Sequence, residues 1–181
     1  MAAKTIPGQT AEIAGPKKAF VIPKPEVAAA MIKRAKRALL VVGSDAINSK
    51  TRDGDLVDSA IRLGRMGNMT VVATGHLVGE FRRRGDEDAR TMPLMNLGDR
   101  LRDPGWGGFD GGGPYDLALF VGLPYYMEWL VLSGLKSFAP ELRTVSLERA
   151  YQPNASWTLG NTAQEEWEEI IDRIASILEG K

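Results

Sequence analysis

Short unbroken apolar runs recur along this chain, separated by segments with helical spacing, and that alternation constrains the fold more than any other feature. The runs are LLVVG at 39–43, TVVAT at 70–74, DLALFVG at 116–122 and RTVSL at 143–147. A strand that is apolar at every position has both faces buried, as in a parallel sheet covered by helices on either side. The intervening segments supply those helices. Val27, Ala28, Met31, Ile32 and Ala35 predict a helix from Pro25 to about Arg37, and Leu56, Val57, Ala60, Ile61 and Leu63 predict one over 55–66. Leu77, Val78 and Phe81 suggest a short helix, and Leu94, Leu97 and Leu101 another that begins after Pro93. A helix is predicted from Pro124 to Phe138. In the last helix Trp167, Ile170, Ile171, Ile174 and Leu178 fall on one stripe, after a capping-box pattern of Thr162 and Glu165. The expected fold is therefore a Rossmann-like three-layer α/β/α domain with a mostly parallel sheet over 25–181. Residues 1–24, with Pro7, Pro16 and Pro23, read as an extended N-terminal arm whose Ile6, Ile13, Phe20, Val21 and Ile22 give it apolar surface to lie along something.

The length of 181 residues fits one domain with a substantial core. The 23 basic side chains balance 23 acidic ones, so there is no cationic surplus to displace counterions from nucleic acid, and no nucleic-acid partner is expected. No apolar run suits a membrane span or a secretory signal, so no membrane partner and a cytoplasmic location are expected. Cysteine is absent, which excludes disulfides, thiolate-held iron–sulfur clusters and a thiol nucleophile. A single histidine, His76, excludes a multi-histidine metal site.

In open α/β sheets ligands bind beyond the carboxyl ends of the strands, which directs attention to Gly43-Ser44-Asp45-Ala46, Gly75-His76 and Gly122-Leu123-Pro124. Glycine there lets a phosphate approach backbone amides, and it also makes a tight turn. The loop after the first run reads GSDAIN, not GxGxxG, and no P-loop pattern occurs. Ser44, Asp45 and His76 could converge as a nucleophile, acid and base, whereas hydrogen bonding of His76 to loop backbone is the simpler role. Asp53, Asp55 and Asp58 read as capping and solvated groups.

The stretch DPGWGGFDGGGP at 103–114 has six glycines in twelve residues and precedes a strand, the wrong edge for a phosphate cradle. It reads as a surface loop, flexible when free and ordered in a complex through Trp106 and Phe109. The helix YYMEWLVLSGLKSF at 125–138 is apolar nearly all round, so it is either sandwiched or presents a face to another subunit, and self-association is expected. Arg82-Arg83-Arg84 reads as a solvated patch able to pair with a partner's acids.

The arm IAGPKKAFVI at 13–22, the following KPEVAAAMIKRAKRALLVVGSDA at 24–46, the VVATGH step at 71–76, DLALFVGLPYY at 116–126 and LERAYQPNASWTLGN at 147–161 together resemble the epsilon-subunit family of archaeal acetyl-CoA decarbonylase/synthase complexes. The resemblance runs over most of the chain. It implies a DHS-like NAD/FAD-binding fold and a non-catalytic accessory subunit of archaeal one-carbon metabolism. It also implies a large nickel–iron–sulfur carbon monoxide dehydrogenase alpha subunit as partner, in an alpha2-epsilon2 assembly, with the metal chemistry in that partner. A role in electron transfer to FAD follows from the resemblance as well, and it places a flavin or nucleotide at Gly43, Ser44, Asp45, Gly75, His76 and Gly122. A free-standing flavin- or dinucleotide-binding electron-transfer module is the competing expectation.

Overall fold

The computed structural model describes residues 17–52 and 54–180. The part of the arm at 1–16 and the candidate Asp53 lie outside these residues. In chain order the elements are β1 (Phe20–Val21), α1 (Pro25–Arg34), β2 (Ala38–Val42), β3 (Lys50–Thr51), β4 (Gly54–Asp55), α2 (Leu56–Met66), β5 (Thr70–Ala73), α3 (Val78–Arg83), β6 (Arg90–Thr91), α4 (Leu94–Leu101), β7 (Leu117–Val121), α5 (Tyr125–Phe138), β8 (Arg143–Ser146), β9 (Trp157–Thr158) and α6 (Gln164–Leu178). Short 3-10 turns at Ser44–Ile47 and Gly75–Leu77 follow β2 and β5.

Seven strands form one parallel sheet in the order β1-β9-β8-β7-β2-β5-β6, and β3 and β4 make a separate antiparallel pair. Every residue of β2 and of β7 is buried. Alternate side chains explain why both runs are continuously apolar. Leu40, Val42, Leu119 and Val121 enter the core shared with Ala29, Ala60, Trp167 and Ile174, which lie on α1, α2 and α6. Leu39, Val41, Ala118 and Phe120 enter a second core with Leu97 of α4 and Leu132 and Leu135 of α5. The chain leaves β2 in one direction through α2 and leaves β7 in the other through α5 on the opposite face. Right-handed crossovers require that switch of face when the direction of travel reverses. The result is the expected Rossmann-like three-layer arrangement.

Local contacts set the element ends. Asp55 caps α2 by accepting from the amides of Val57 and Asp58, and the Asp58 carboxylate accepts in turn from the Asp55 amide. Helix α1 stops at Arg34, earlier than the periodicity predicts. The Asp116 carboxylate accepts from the amides of Lys36 (3.0 Å) and Arg37 (2.8 Å), which draws them out of the helix toward β7. The capping box expected from Thr162 and Glu165 does not form. The Thr162 hydroxyl donates back to the Arg149 carbonyl, and α6 begins after Ala163 without a side-chain cap.

The glycine-rich segment folds back onto its own domain instead of presenting its aromatic residues outward. Trp106 packs edge-on against Phe109 at 5.3 Å and lies 5.9 Å from Tyr115, and both rings join the core on the α5 side. Arg37 clamps the loop through Asp110 at 2.5 Å and lies over the Tyr115 ring. Two members of the basic triplet are engaged within the chain, since Arg84 pairs with Asp55 and Asp58, and Arg83 with Glu80. The last part of the arm enters the sheet. β1 pairs in parallel with β9 at its edge, and Ala19 and Ile22 are buried. Among the described residues, no helix is long and apolar enough to cross a membrane.

Candidate functional site

The loops leaving β2 and β7 part at the switch of direction, where open α/β sheets place their ligands. Here they interlock. The Gly43 amide donates to the Val121 carbonyl and the Asp45 amide to the Gly122 carbonyl, both at 2.9 Å. Gly122 has φ +72°, and a β-carbon on it would meet the Ala46 methyl at 2.9 Å, so both its conformation and its surroundings require glycine. Ser44 and Asp45 are exposed, with Ser44 Oγ 3.4 Å from Asp45 Oδ1. Gly75 (φ +62°) and His76 occupy the neighbouring 3-10 turn, and both are exposed. The six predicted residues thus share one edge of the sheet. Among the described residues, no hydrogen bond joins His76 to Ser44 or Asp45, and no group of three or more His, Asp or Glu side chains could hold a metal ion.

Directly beneath this edge lies a cluster that the sequence reading overlooked. Glu128 points inward from the first turn of α5 and is 0% exposed. Gln152, also fully buried, donates from Nε2 to Glu128 Oε2 and to the Tyr125 carbonyl, each at 3.1 Å. Glu148, which follows β8, accepts from the Leu123 amide at 3.0 Å and from the Gly122 amide. Burial and the neighbouring Glu148 charge push the Glu128 carboxyl well above its ordinary range, against hydrogen bonds from Ser146 and Gln152. Burial likewise raises Glu148 to about 7, against the Leu123 and Gly122 amides, with Asp45 adding to the rise and Arg149 opposing it.

A signal for this cluster was present in the sequence. In YYMEWLVLSGLKSF, Glu128 shares a helical stripe with Val131, Leu132 and Leu135, so a carboxyl stands where only apolar side chains belong. A dinucleotide or flavin pyrophosphate at this edge would draw on amides at the strand ends. Those of Gly122 and Leu123 already serve Glu148, and that of Asp45 serves Gly122, so these three amides are not open to such a group. A cleft of about 380 Å³ lies beside Glu148, Lys50, Gln164 and Trp167. A larger cavity of about 420 Å³ lies at the amino ends of β2, β5 and β6, among Arg37, Arg65, Arg90 and Asp86.

The other side of α5 faces outward. Tyr126, Leu130, Gly134 and Phe138 follow the i, i+4 ridge, with Tyr126 69%, Leu130 49% and Phe138 66% exposed. Phe20, at the edge of the sheet, is 67% exposed and stacks at 5.2 Å on Trp157. Isolated apolar residues on a surface are ordinary, whereas an aromatic ridge along one helix marks a contact surface.

Comparison with known proteins gives the family. The family described as CO dehydrogenase beta subunit/acetyl-CoA synthase epsilon subunit matches residues 1–175. The acetyl-CoA decarbonylase/synthase complex subunit epsilon of Methanothrix soehngenii is 36% identical over 176 residues, covering 96% of this chain and 91% of that protein. Its counterpart from Methanothermobacter thermautotrophicus is 32% identical over 171 residues, covering 94% and 95%. Subunit epsilon 1 from Archaeoglobus fulgidus is 36% identical over 144 residues, covering 78% and 74%. The chain belongs to the CO dehydrogenase beta subunit/acetyl-CoA synthase epsilon subunit family.

Proposed function

We propose that this protein is a non-catalytic accessory subunit that binds and stabilises the nickel–iron–sulfur carbon monoxide dehydrogenase alpha subunit of an acetyl-CoA decarbonylase/synthase complex, as the epsilon partner in an alpha2-epsilon2 unit. The observation that carries the reading is the outward ridge of α5, on which Tyr126, Leu130 and Phe138 are exposed on a helix whose other face is seated in the core. Aromatic and leucine side chains arranged in this way lose water-exposed apolar area when a partner covers them. The absence of cysteine supports placing the clusters in the partner.

The proposal assigns no cofactor chemistry to this chain, and it is supported by the engagement of the Leu123, Gly122 and Asp45 amides with Glu148 and the Gly122 carbonyl. Titration calorimetry of the purified chain into the purified alpha subunit tests the reading. Saturable binding at one copy per alpha subunit is expected, and no heat at micromolar concentration would reject it. A parallel titration with FAD is expected to leave flavin fluorescence unquenched. Self-association through the same ridge would appear as a concentration-dependent mass of the isolated chain, competing with the alpha subunit.

A further inference from the structure

We propose that Glu128 and Glu148 form a proton-binding site in which Glu128 carries the proton and Glu148 the negative charge, and that this proton holds the inner face of α5 in place. The argument begins with two acceptors that have no donor. Glu128 Oε1 and Gln152 Oε1 are both buried without a hydrogen-bond partner, although the two side chains are already joined through Gln152 Nε2 and Glu128 Oε2. The Gln152 amide cannot be turned over to repair this. Its nitrogen also donates to the Tyr125 carbonyl, which can only accept, so the nitrogen is fixed and the oxygen is left as an acceptor.

An ionised Glu128 adds acceptors to a place that already has too many. A protonated Glu128 supplies a donor in place of an acceptor, beside the unpartnered Gln152 Oε1 and a Glu148 carboxyl whose charge acts on it. The two carboxyls are not equivalent. The backbone amides of Leu123 and Gly122, with Arg149 near, favour the anion at Glu148, whose carboxyl is raised only to about 7. Glu128 has no backbone amide donor, and its neighbours are Ser146, Gln152 and Glu148. The remaining charged group facing the pair is Asp45, from the loop after β2, which adds to the negative field. Removing the proton therefore places a second uncompensated charge beneath the helix whose outer ridge is Tyr126 and Leu130.

Infrared spectroscopy of the full chain in heavy water, at a pD well above the value of about 7 to which Glu148 is raised, reads the site directly, without any partner. The wild-type protein is expected to show the carbonyl stretch of a protonated carboxyl, which Glu128→Gln removes and Glu148→Gln leaves in place. Absence of that band from the wild type, or its survival in Glu128→Gln, would overturn the proposal. Should Glu128→Gln fail to fold, carbon-13 NMR of wild-type protein labelled in glutamate reads the same group. One carboxyl carbon that keeps its protonated shift through neutral pH supports the assignment. Titration of every glutamate in the ordinary acid range refutes it.

Discussion

Gly43 lies so close beneath Gly122 that a β-carbon built on it would sit 2.2 Å from the Gly122 carbonyl oxygen. That oxygen also accepts from the Asp45 amide, so it cannot move aside without breaking the bond that joins the two central loops. Gly43→Ala is therefore expected to destabilise the domain by about 1–3 kcal/mol through forced backbone displacement. Urea unfolding measures this as a lower midpoint at unchanged slope, and an unchanged midpoint would mean that the loops are not interlocked.

Two carboxyl groups set opposite limbs of the stability profile. Burial tends to raise Asp55, but the Arg84 guanidinium and the amides of Asp58 and Val57 outweigh it and hold the carboxyl below its ordinary range. Its contribution is complete above the unfolded value and is lost as pH falls through the folded one. Asp55→Ala should cost roughly 1–2 kcal/mol near neutrality, through loss of the cap, and flatten the acid limb. Glu148 acts in the other sense, because its value is raised to about 7. The folded chain then holds that proton more tightly than the unfolded chain, so stability falls as pH rises toward and through 7, and Glu148→Gln removes that slope. Denaturant midpoints collected across this range check both signs.

Trp106 anchors the glycine-rich loop to Phe109 and Tyr115. Trp106→Ala should cost about 1–3 kcal/mol, since the ring is half-buried, and should open the segment at 103–114 to proteolysis. A variant as stable and as protease-resistant as the parent would restore the reading of this loop as a free contact surface.

Tyr126 and Leu130 contribute little to the domain's own core because they face outward. Replacing each with glutamate should change unfolding free energy by no more than about 0.5 kcal/mol. The same pair should weaken alpha-subunit binding at least about tenfold, an effect of about 1.4 kcal/mol, as expected for a tyrosine anchor lost and two charges placed in an apolar contact. Affinity unaltered in the double variant would move the interface elsewhere on the molecule.

The central sheet was legible because β2, β5 and β7 are largely apolar on both faces, and a run such as LLVVG has few other ways to be buried. β1, β6 and β9 were not, because two-residue strands such as Phe20–Val21 and Arg90–Thr91 carry too few side chains to show a period. The glycines Gly43, Gly75 and Gly122 pointed to one shared edge of the sheet, since a left-handed or crowded backbone demands glycine there. What they could not reveal is the occupant of their amides. Glu148 lies far along the chain from Gly122 and Leu123, and only the fold brings its carboxylate to them. Glu128 was hidden differently: a lone glutamate in a helix reads as solvent-facing until its stripe with Leu132 and Leu135 is followed around the helix.

The central claim is that this protein works by docking, and the mass of the assembled species tests it most directly. Size-exclusion chromatography with light scattering, after co-expression with the alpha subunit, should give one peak whose mass equals two copies of each chain. The Tyr126→Glu, Leu130→Glu variant should elute apart from the alpha subunit while remaining folded. Separate elution of the wild-type chain would contradict the account.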